Sequence, residues 1–171
     1  MDIRDAEDQH IGGITAIYND AVAHTTAIWN ETQVDAANRM AWLADRHRAG
    51  YPVLVAVDEN GAVLGYASFG DWRAFDGYRH TVEHSVYVRG DQRGAGIGRA
   101  LMLALIERAR DLGKHVMVAG IEAGNTASIR LHETLGFEQA GHLKQVGAKF
   151  GKWLDLAFLQ LILDQRDVPG R

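Results

Sequence analysis

Hydrophobic positions along the 171-residue chain switch between two periods, and the switches mark the elements. From Asp8 to His24, the residues Ile11, Ile14, Ile17, Tyr18 and Val22 recur at three- and four-residue steps, which predicts an amphipathic helix. A short strand over Ile3–Ala6 precedes it. A second helix is expected over Asp35–Gly50, with Asp35 as cap, Trp42 and Leu43 as apolar positions and Gly50 as stop. Val53–Val57 and Val63–Phe69 flank Asp58-Glu59-Asn60-Gly61, which is the turn chemistry of a β-hairpin. Thr81–Val88 alternates residue by residue and extends the same sheet. Ile97, Leu101, Leu105, Ala109 and Leu112 form the stripe of a third helix, Ile97–Leu112, stopped by Gly113. His115–Ile121 reads as a buried strand and Asn125–Leu135 as a short helix ended by Gly136. Phe137–Val146 and Trp153–Leu163 close the chain as strands, the last almost wholly apolar. The order is β-α-α-β-β-β-α-β-α-β-β, an α+β (mixed α/β) pattern around a central sheet.

Composition narrows the function classes. The length suits one domain over residues 1–171, since no Pro/Ser-rich linker, low-complexity tract or repeat interrupts it. There is no cysteine, which excludes disulfides, zinc–thiolate sites, Fe–S clusters and a cysteine acyl-enzyme. The net charge of -4 gives no global basic footprint for nucleic acid. No apolar run approaches the ~20 residues of a membrane span. The start Met-Asp-Ile-Arg-Asp-Ala lacks the pattern of a signal peptide. A cytoplasmic protein with neither nucleic-acid nor membrane partner is the expectation.

Glycine numbers 19 of 171, above the usual ~7%, and its placement carries the argument. Arg93-Gly94-Ala95-Gly96-Ile97-Gly98-Arg99 follows a strand and opens a helix. Alternating glycines let backbone approach a bulky anion and permit positive φ. The first helical turn adds unpaired N–H donors and the positive end of the dipole. A pyrophosphate fits that description. The dinucleotide fingerprint G-x-G-x-x-G fails, because Arg99 stands at its sixth position and a hairpin precedes it. A Walker A loop occurs nowhere. A glycine-rich connector that binds nothing is the remaining alternative.

With these elements in this order, Arg93, Gly96 and Gly98 (R-x-x-G-x-G) resemble the acetyl-CoA signature of the GNAT superfamily of N-acetyltransferases. A second stretch, Asn125 to Phe137 with Ser128, Leu131, His132, Leu135 and Gly136, is similar to the helix that lines the pantetheine and thiol end in that family. The resemblance covers nearly the whole chain. It implies a mostly antiparallel, twisted sheet of about seven strands flanked by about four helices. It also implies acetyl-CoA held by Val86, Tyr87 and Val88, by Arg93, Gly94, Ala95, Gly96, Ile97, Gly98 and Arg99, and by Asn125 and Ser128. Glu83-His84-Ser85-Val86-Tyr87-Val88, Trp72-Arg73-Ala74-Phe75 and Lys149 to Asp155 narrow the match. They look like the phosphinothricin and methionine sulfoximine/sulfone N-acetyltransferase branch, whose members are typically homodimers. That branch implies the α-amine of a small amino-acid analogue as acceptor, with Arg73, Ala74, Phe75, Glu83, His84 and Ser85 around it. His132 stands where many GNAT enzymes have tyrosine, and this branch shares the histidine. The segment Thr25 to Glu31 would wall the acceptor pocket by the same analogy.

Acyl transfer to an amine needs a base for the ammonium, donors for the oxyanion and stabilisation of the leaving thiolate. Glu83 is the candidate base, sharing an ideal strand face with Ser85 and Tyr87; a solvent-facing strand carboxylate is the alternative. His132 lies four residues after Ser128 and seven after Asn125, on one helical face, as proton donor or as a helix histidine bonded to a neighbouring loop. Arg73 is the candidate for the acceptor carboxylate, which a guanidinium binds bidentately. His80-Thr-Val-Glu83-His84 spells H-x-x-E-H, a zinc pattern that works only on a helix. On a strand the two histidines would stand roughly 13 Å apart at ~3.3 Å per residue, so no metal is expected. Trp29, Trp42, Trp72 and Trp153 are scattered and read as packing residues. Direct transfer from acetyl-CoA to a small amino acid analogue is the leading expectation. A polyamine, an aminoglycoside or a protein N-terminus as acceptor remains open, as does a non-catalytic acyl-CoA sensor.

Overall fold

The computed structural model describes residues 1–170. Its strands are β1 (Asp2–Asp5), β2 (Val53–Val57), β3 (Val63–Asp71), β4 (Thr81–Val88), β5 (Val116–Glu122), β6 (Glu138–Lys149) and β7 (Lys152–Ile162). Its helices are α1 (Ile11–His24), α2 (Ala36–Arg48), α3 (Ile97–Asp111) and α4 (Thr126–Thr134). The seven strands form one sheet in the order β1-β2-β3-β4-β5-β7-β6. Every pairing is antiparallel except β4 with β5. The expected element order and mixed α/β class hold.

Local chemistry explains the boundaries. Asp35 caps α2 by accepting the Asn38 N–H at 2.9 Å, and Asn125 caps α4 by accepting the Ser128 N–H at 3.2 Å. The β2–β3 turn closes on Asp58, whose carboxylate accepts the N–H groups of Asn60 and Ala62 at 2.9 Å. Gly61 supplies the positive φ of 82° that this turn requires. All five residues of β2 are buried because helices cover both faces. Val53, Val55 and Val57 join Ile14, Ile17 and Leu43 under α1 and α2. Leu54 and Ala56 join Leu101, Leu105 and Leu159 under α3. No helix among the described residues is long and apolar enough to cross a membrane.

Two strands run past their expected ends. β3 continues to Asp71, and β6 continues from Val146 to Lys149. The β6 extension joins β7 through a two-residue turn in which Phe150 and Gly151 both have positive φ, 54° and 72°. Such a turn matches the twist of the strands it joins, but phenylalanine rarely adopts it. Leu105 is fully buried at the centre of the α3 face. Leu105→Ala is expected to lower unfolding stability by about 2–5 kcal/mol in urea denaturation, moving the midpoint with little change in m-value.

Candidate active site

The site begins where the sheet divides. β4 and β5 pair only over three rungs, Thr81 with Val116, Val82 with Met117 and Glu83 with Val118. Beyond Glu83 the strands bond outward only: His84 to Val88 with β3, and Ala119 to Glu122 with β7. Their inward backbone groups are therefore left for another partner. The opening leads into a cleft of about 970 Å³ walled by Val86, Tyr87 and Val88 on one side and Glu122, Asn125 and Ser128 on the other. That size is at the upper end of the ~300–1,000 Å³ typical of small-molecule sites.

The glycine loop forms the mouth. Gly94 and Gly96 have φ of 83° and 82°, and Gly96 is the cap residue of α3. The first helical bond of α3 runs from the Ala100 N–H to the Gly96 carbonyl at 3.1 Å, so the N–H groups before it point out of the helix end. Gly98 serves differently. Its φ is not positive; a Cβ there would meet Leu131 at 3.5 Å and Val88 at 3.6 Å, which marks the convergence of α3, α4 and β4. Arg93 and Arg99 add two guanidinium groups, neither ion-paired among the described residues. Backbone donors, a helix N-terminus and two cations make a cradle for a phosphorylated ligand. The unpaired strand edge behind it suits an amide-bearing chain.

Glu83 occupies the fork, on the last shared rung. It is half-buried, and its carboxylate leans over Gly120 of β5, where a Cβ would come within 3.1 Å of Oε2. The same spot touches Phe158 and Leu156 of β7. Phe158 meets Trp72 edge to face at 5.4 Å, and the Arg73 guanidinium lies 4.7 Å from the Trp72 ring. Burial holds Glu83 above the usual carboxylate range, and the positive charge of Arg73 pulls it partly back. A carboxylate, a guanidinium and an aromatic wall thus share one lobe beside the fork.

His84, the next residue on β4, points to the opposite face. Its Nε2 lies 2.9 Å from Nε2 of His132, and the two rings are nearly parallel at 12°. His132 Nδ1 is 2.7 Å from the Ser128 carbonyl, which only accepts, so that nitrogen carries the proton. A neutral His132 then offers a bare Nε2, and His84 must donate to it. His84 Nδ1 is left buried without a partner. Burial pushes both rings down, His84 to about 3 with the neighbouring His132 adding to the effect. The pair is neutral at pH 7, and Phe137 packs its edge against both rings.

Of the residues singled out by sequence, Val86, Tyr87, Val88, Arg93, Gly94, Gly96, Ile97, Gly98, Arg99, Asn125 and Ser128 all line the cleft. Ala95 does not, since it sits at the outer crest of the loop. His132 is only 1% exposed and reaches the cleft through Ser128 rather than directly. His84 faces away from Glu83. Ser85 shares the Glu83 face of β4, while Arg73, Ala74 and Phe75 lie exposed in the connection between β3 and β4. Thr25, Thr26 and Ala27 also line the cleft, joined by Phe150, Asp20 and His24. Gly120 escaped notice in the sequence, although a glycine inside a strand pattern signals a close approach.

The cradle can be probed at one atom. A Cβ on Gly96 would touch nothing within 4 Å, so Gly96→Ala strains only the backbone, at about 1–2 kcal/mol. We expect CoA affinity, measured by calorimetry, to fall about tenfold while the fold persists.

Comparison with known proteins agrees with this geometry. Residues 14–137 match the model of the Acetyltransferase (GNAT) family. The chain is 67% identical over 162 residues to an L-methionine sulfoximine/L-methionine sulfone acetyltransferase of Pseudomonas aeruginosa, covering 95% of this chain and 94% of that one. It is 60% identical over 169 residues to an L-amino acid N-acyltransferase of Escherichia coli, covering 99% and 98%. A Salmonella typhimurium protein solved with its cofactor acetyl-CoA superposes with a TM-score of 0.96 at 58% identity, covering 99% and 97%. The forked sheet, the glycine cradle and these likenesses converge on one assignment: this chain belongs to the GNAT family of acetyltransferases.

Proposed function

We propose that the protein transfers the acetyl group of acetyl-CoA directly to the α-amine of a small L-amino acid analogue, with methionine sulfoximine, methionine sulfone and phosphinothricin as the leading acceptors. The observation that carries this reading is the Glu83–Arg73 pair beside the fork in the sheet. An α-amino acid brings an ammonium and a carboxylate a few atoms apart, and here a carboxylate and a guanidinium lie near enough for the Arg73 charge to act on Glu83. The names of the relatives point to the same acceptor class.

The division of labour follows from position. The loop Arg93 to Arg99 with the N-terminus of α3 holds the diphosphate, and the open edge of β4 from Val86 to Val88 holds the pantetheine amides. Acetyl-CoA supplies an activated acyl group on a thiol leaving group. Glu83 takes the proton of the acceptor ammonium, for which a raised carboxylate is better matched than an ordinary one. Arg73 binds the acceptor carboxylate and, by its charge, keeps Glu83 ionised. His132, engaged at both ring nitrogens, positions Ser128 and α4 against β4. The enzyme works in the cytoplasm as a homodimer. Supporting the dimer, β6 is an edge strand exposed along most of its length, and Leu143, Val146 and Trp153 leave an apolar surface beside it.

The first test is thiol release from acetyl-CoA with amino-acid analogues, polyamines and aminoglycosides. Release with the methionine analogues and phosphinothricin is expected; release with polycations alone would overturn the acceptor assignment. Glu83→Gln should lower kcat by about 10²–10⁴-fold while CoA affinity measured by calorimetry stays put. The pH profile gives a signed check. The base works only when ionised, so activity falls as pH drops through the raised Glu83 value. The acid limb of kcat/KM therefore lies above the ordinary carboxylate range. Arg73→Gln removes the charge that lowers Glu83, so the limb moves to higher pH and the acceptor KM rises.

A further inference from the structure

Lys149 is the last residue of β6 and only 2% exposed. Its Nζ donates to the carbonyls of Thr25 at 2.7 Å, Ile28 at 2.5 Å and Ala21 at 3.4 Å. A lysine ammonium has three N–H groups and three acceptors surround it, so the charged form is saturated. A neutral amine would leave one carbonyl facing a lone pair. No ion pair accompanies the contact among the described residues. Burial works against the charge and the Glu31 carboxylate works for it. Such a buried cation is costly unless fully hydrogen-bonded, and it serves neither the cradle nor the fork directly.

What it holds is informative. Ala21 lies in the last turn of α1, and Thr25 and Ile28 lie in the segment that follows. Thr25, Thr26 and Ala27 line the cleft from one side; Phe150, the neighbour of Lys149, lines it from another. A second device joins the same two pieces. Trp29 lies flat on Gly147 of β6, where a Cβ would come within 2.3 Å of the ring, and its Nε1 donates to the Thr26 carbonyl at 2.8 Å. Within the segment the Thr25 N–H and hydroxyl return to Ala21 at 3.2 and 2.8 Å, the Ala27 N–H donates to the Thr25 hydroxyl at 3.1 Å, and Ile28 packs with Tyr18, Ala21 and Val22.

We propose that Lys149 is a positioning residue, a buried ammonium clamp that fixes segment 25–29 against the β6–β7 turn and thereby sets one wall of the cleft. The turn itself is fixed by the left-handed conformations of Phe150 and Gly151, so the clamp ties the cleft wall to a defined post. The diphosphate cradle lies on other elements and does not depend on it. The kinetic part of the inference rests on the acetyl-transfer reading above; the part that concerns the segment does not.

The test uses Lys149→Met, Lys149→Arg and Gly147→Ala in the full chain. Gly147→Ala displaces Trp29 without touching the charge, so it serves if Lys149→Met does not fold. Amide hydrogen exchange needs no acceptor. Exchange in residues 25–29 should speed up at least about tenfold in Lys149→Met and Gly147→Ala, while residues 93–99 keep the wild-type rate. Kinetics then use whichever acceptor the wild type turns over. The KM for the acceptor or for acetyl-CoA should rise about tenfold, and Lys149→Arg should fall between Lys149→Met and wild type. Unchanged exchange in 25–29 overturns the clamp. Faster exchange with both KM values unchanged overturns its role in the cleft. Failure of every amino-acid analogue with the wild type defeats the acceptor reading while the exchange result still decides the clamp.

Discussion

The separation of β4 from β5 after three rungs is the constraint on which the rest of the molecule depends. Parallel neighbours ordinarily continue their ladder, because an interior strand edge with bare N–H and C=O groups is costly. Here the ladder stops at Glu83 and Val118, and the surrounding elements hold it open. α3 wedges in at Gly98, against Val88 and Leu131. α4 is set by the Asn125 cap and by His132 bonding back to β4 through His84. An edge maintained at this expense is open to a ligand's amides, and the glycine loop at its mouth sets backbone donors beside the charges of Arg93 and Arg99.

Strand alternation then sorts the chemistry. Glu83 and His84 are consecutive, so their side chains leave β4 on opposite faces. Burial acts on both, yet it moves them in opposite senses because it always disfavours charge. The carboxylate is raised, to become a better proton acceptor, and the imidazole is lowered to about 3, to become an inert hydrogen-bonding post. Only the first has an opposite charge nearby, Arg73, which offsets part of the rise. One strand therefore gives a titratable group to the Gly120 side and a neutral support to the helix side.

Features that depend on short spacing were legible in the sequence, and features that depend on long-range register were not. The hairpin at Asp58 to Gly61, the cap at Asp35 and the R-x-x-G-x-G loop each fall within a few residues, where turn and cap chemistry act directly. The residues of the cleft wall came from the family resemblance that this loop and the Asn125–Phe137 stretch carry. The His84–His132 contact joins residues 48 apart, and helical spacing alone left His132 facing either the cleft or the interior. Gly120 is meaningful only because Glu83 leans across to it from the neighbouring strand. The end of β6 was hidden for a local reason of another kind. Gln145 and Phe150 are non-glycine residues with positive φ, 58° and 54°, a conformation their side chains do not announce.

That last irregularity connects the distant edge of the sheet to the cleft. Between Glu138 and Lys149, β6 advances eleven residues while β7 advances eight from Gln160 to Lys152. The surplus is taken up by bulges, and Asp155 holds the larger one by accepting the Gln145 N–H at 2.8 Å and bonding the His142 ring at 3.0 Å. Those contacts keep the Asp155 carboxyl below its ordinary range, the Gln145 amide most of all. Bulges bend and twist the strand that carries them, and this one lies just before Gly147. A regular ladder of equal strands would carry the surplus residues nowhere. With the bulges, the tip of the hairpin reaches the end of α1, where Gly147 receives Trp29 and Lys149 finds its three carbonyls. An exposed edge strand thus reaches the cleft wall through its irregularity, and a perfectly paired β6 would not.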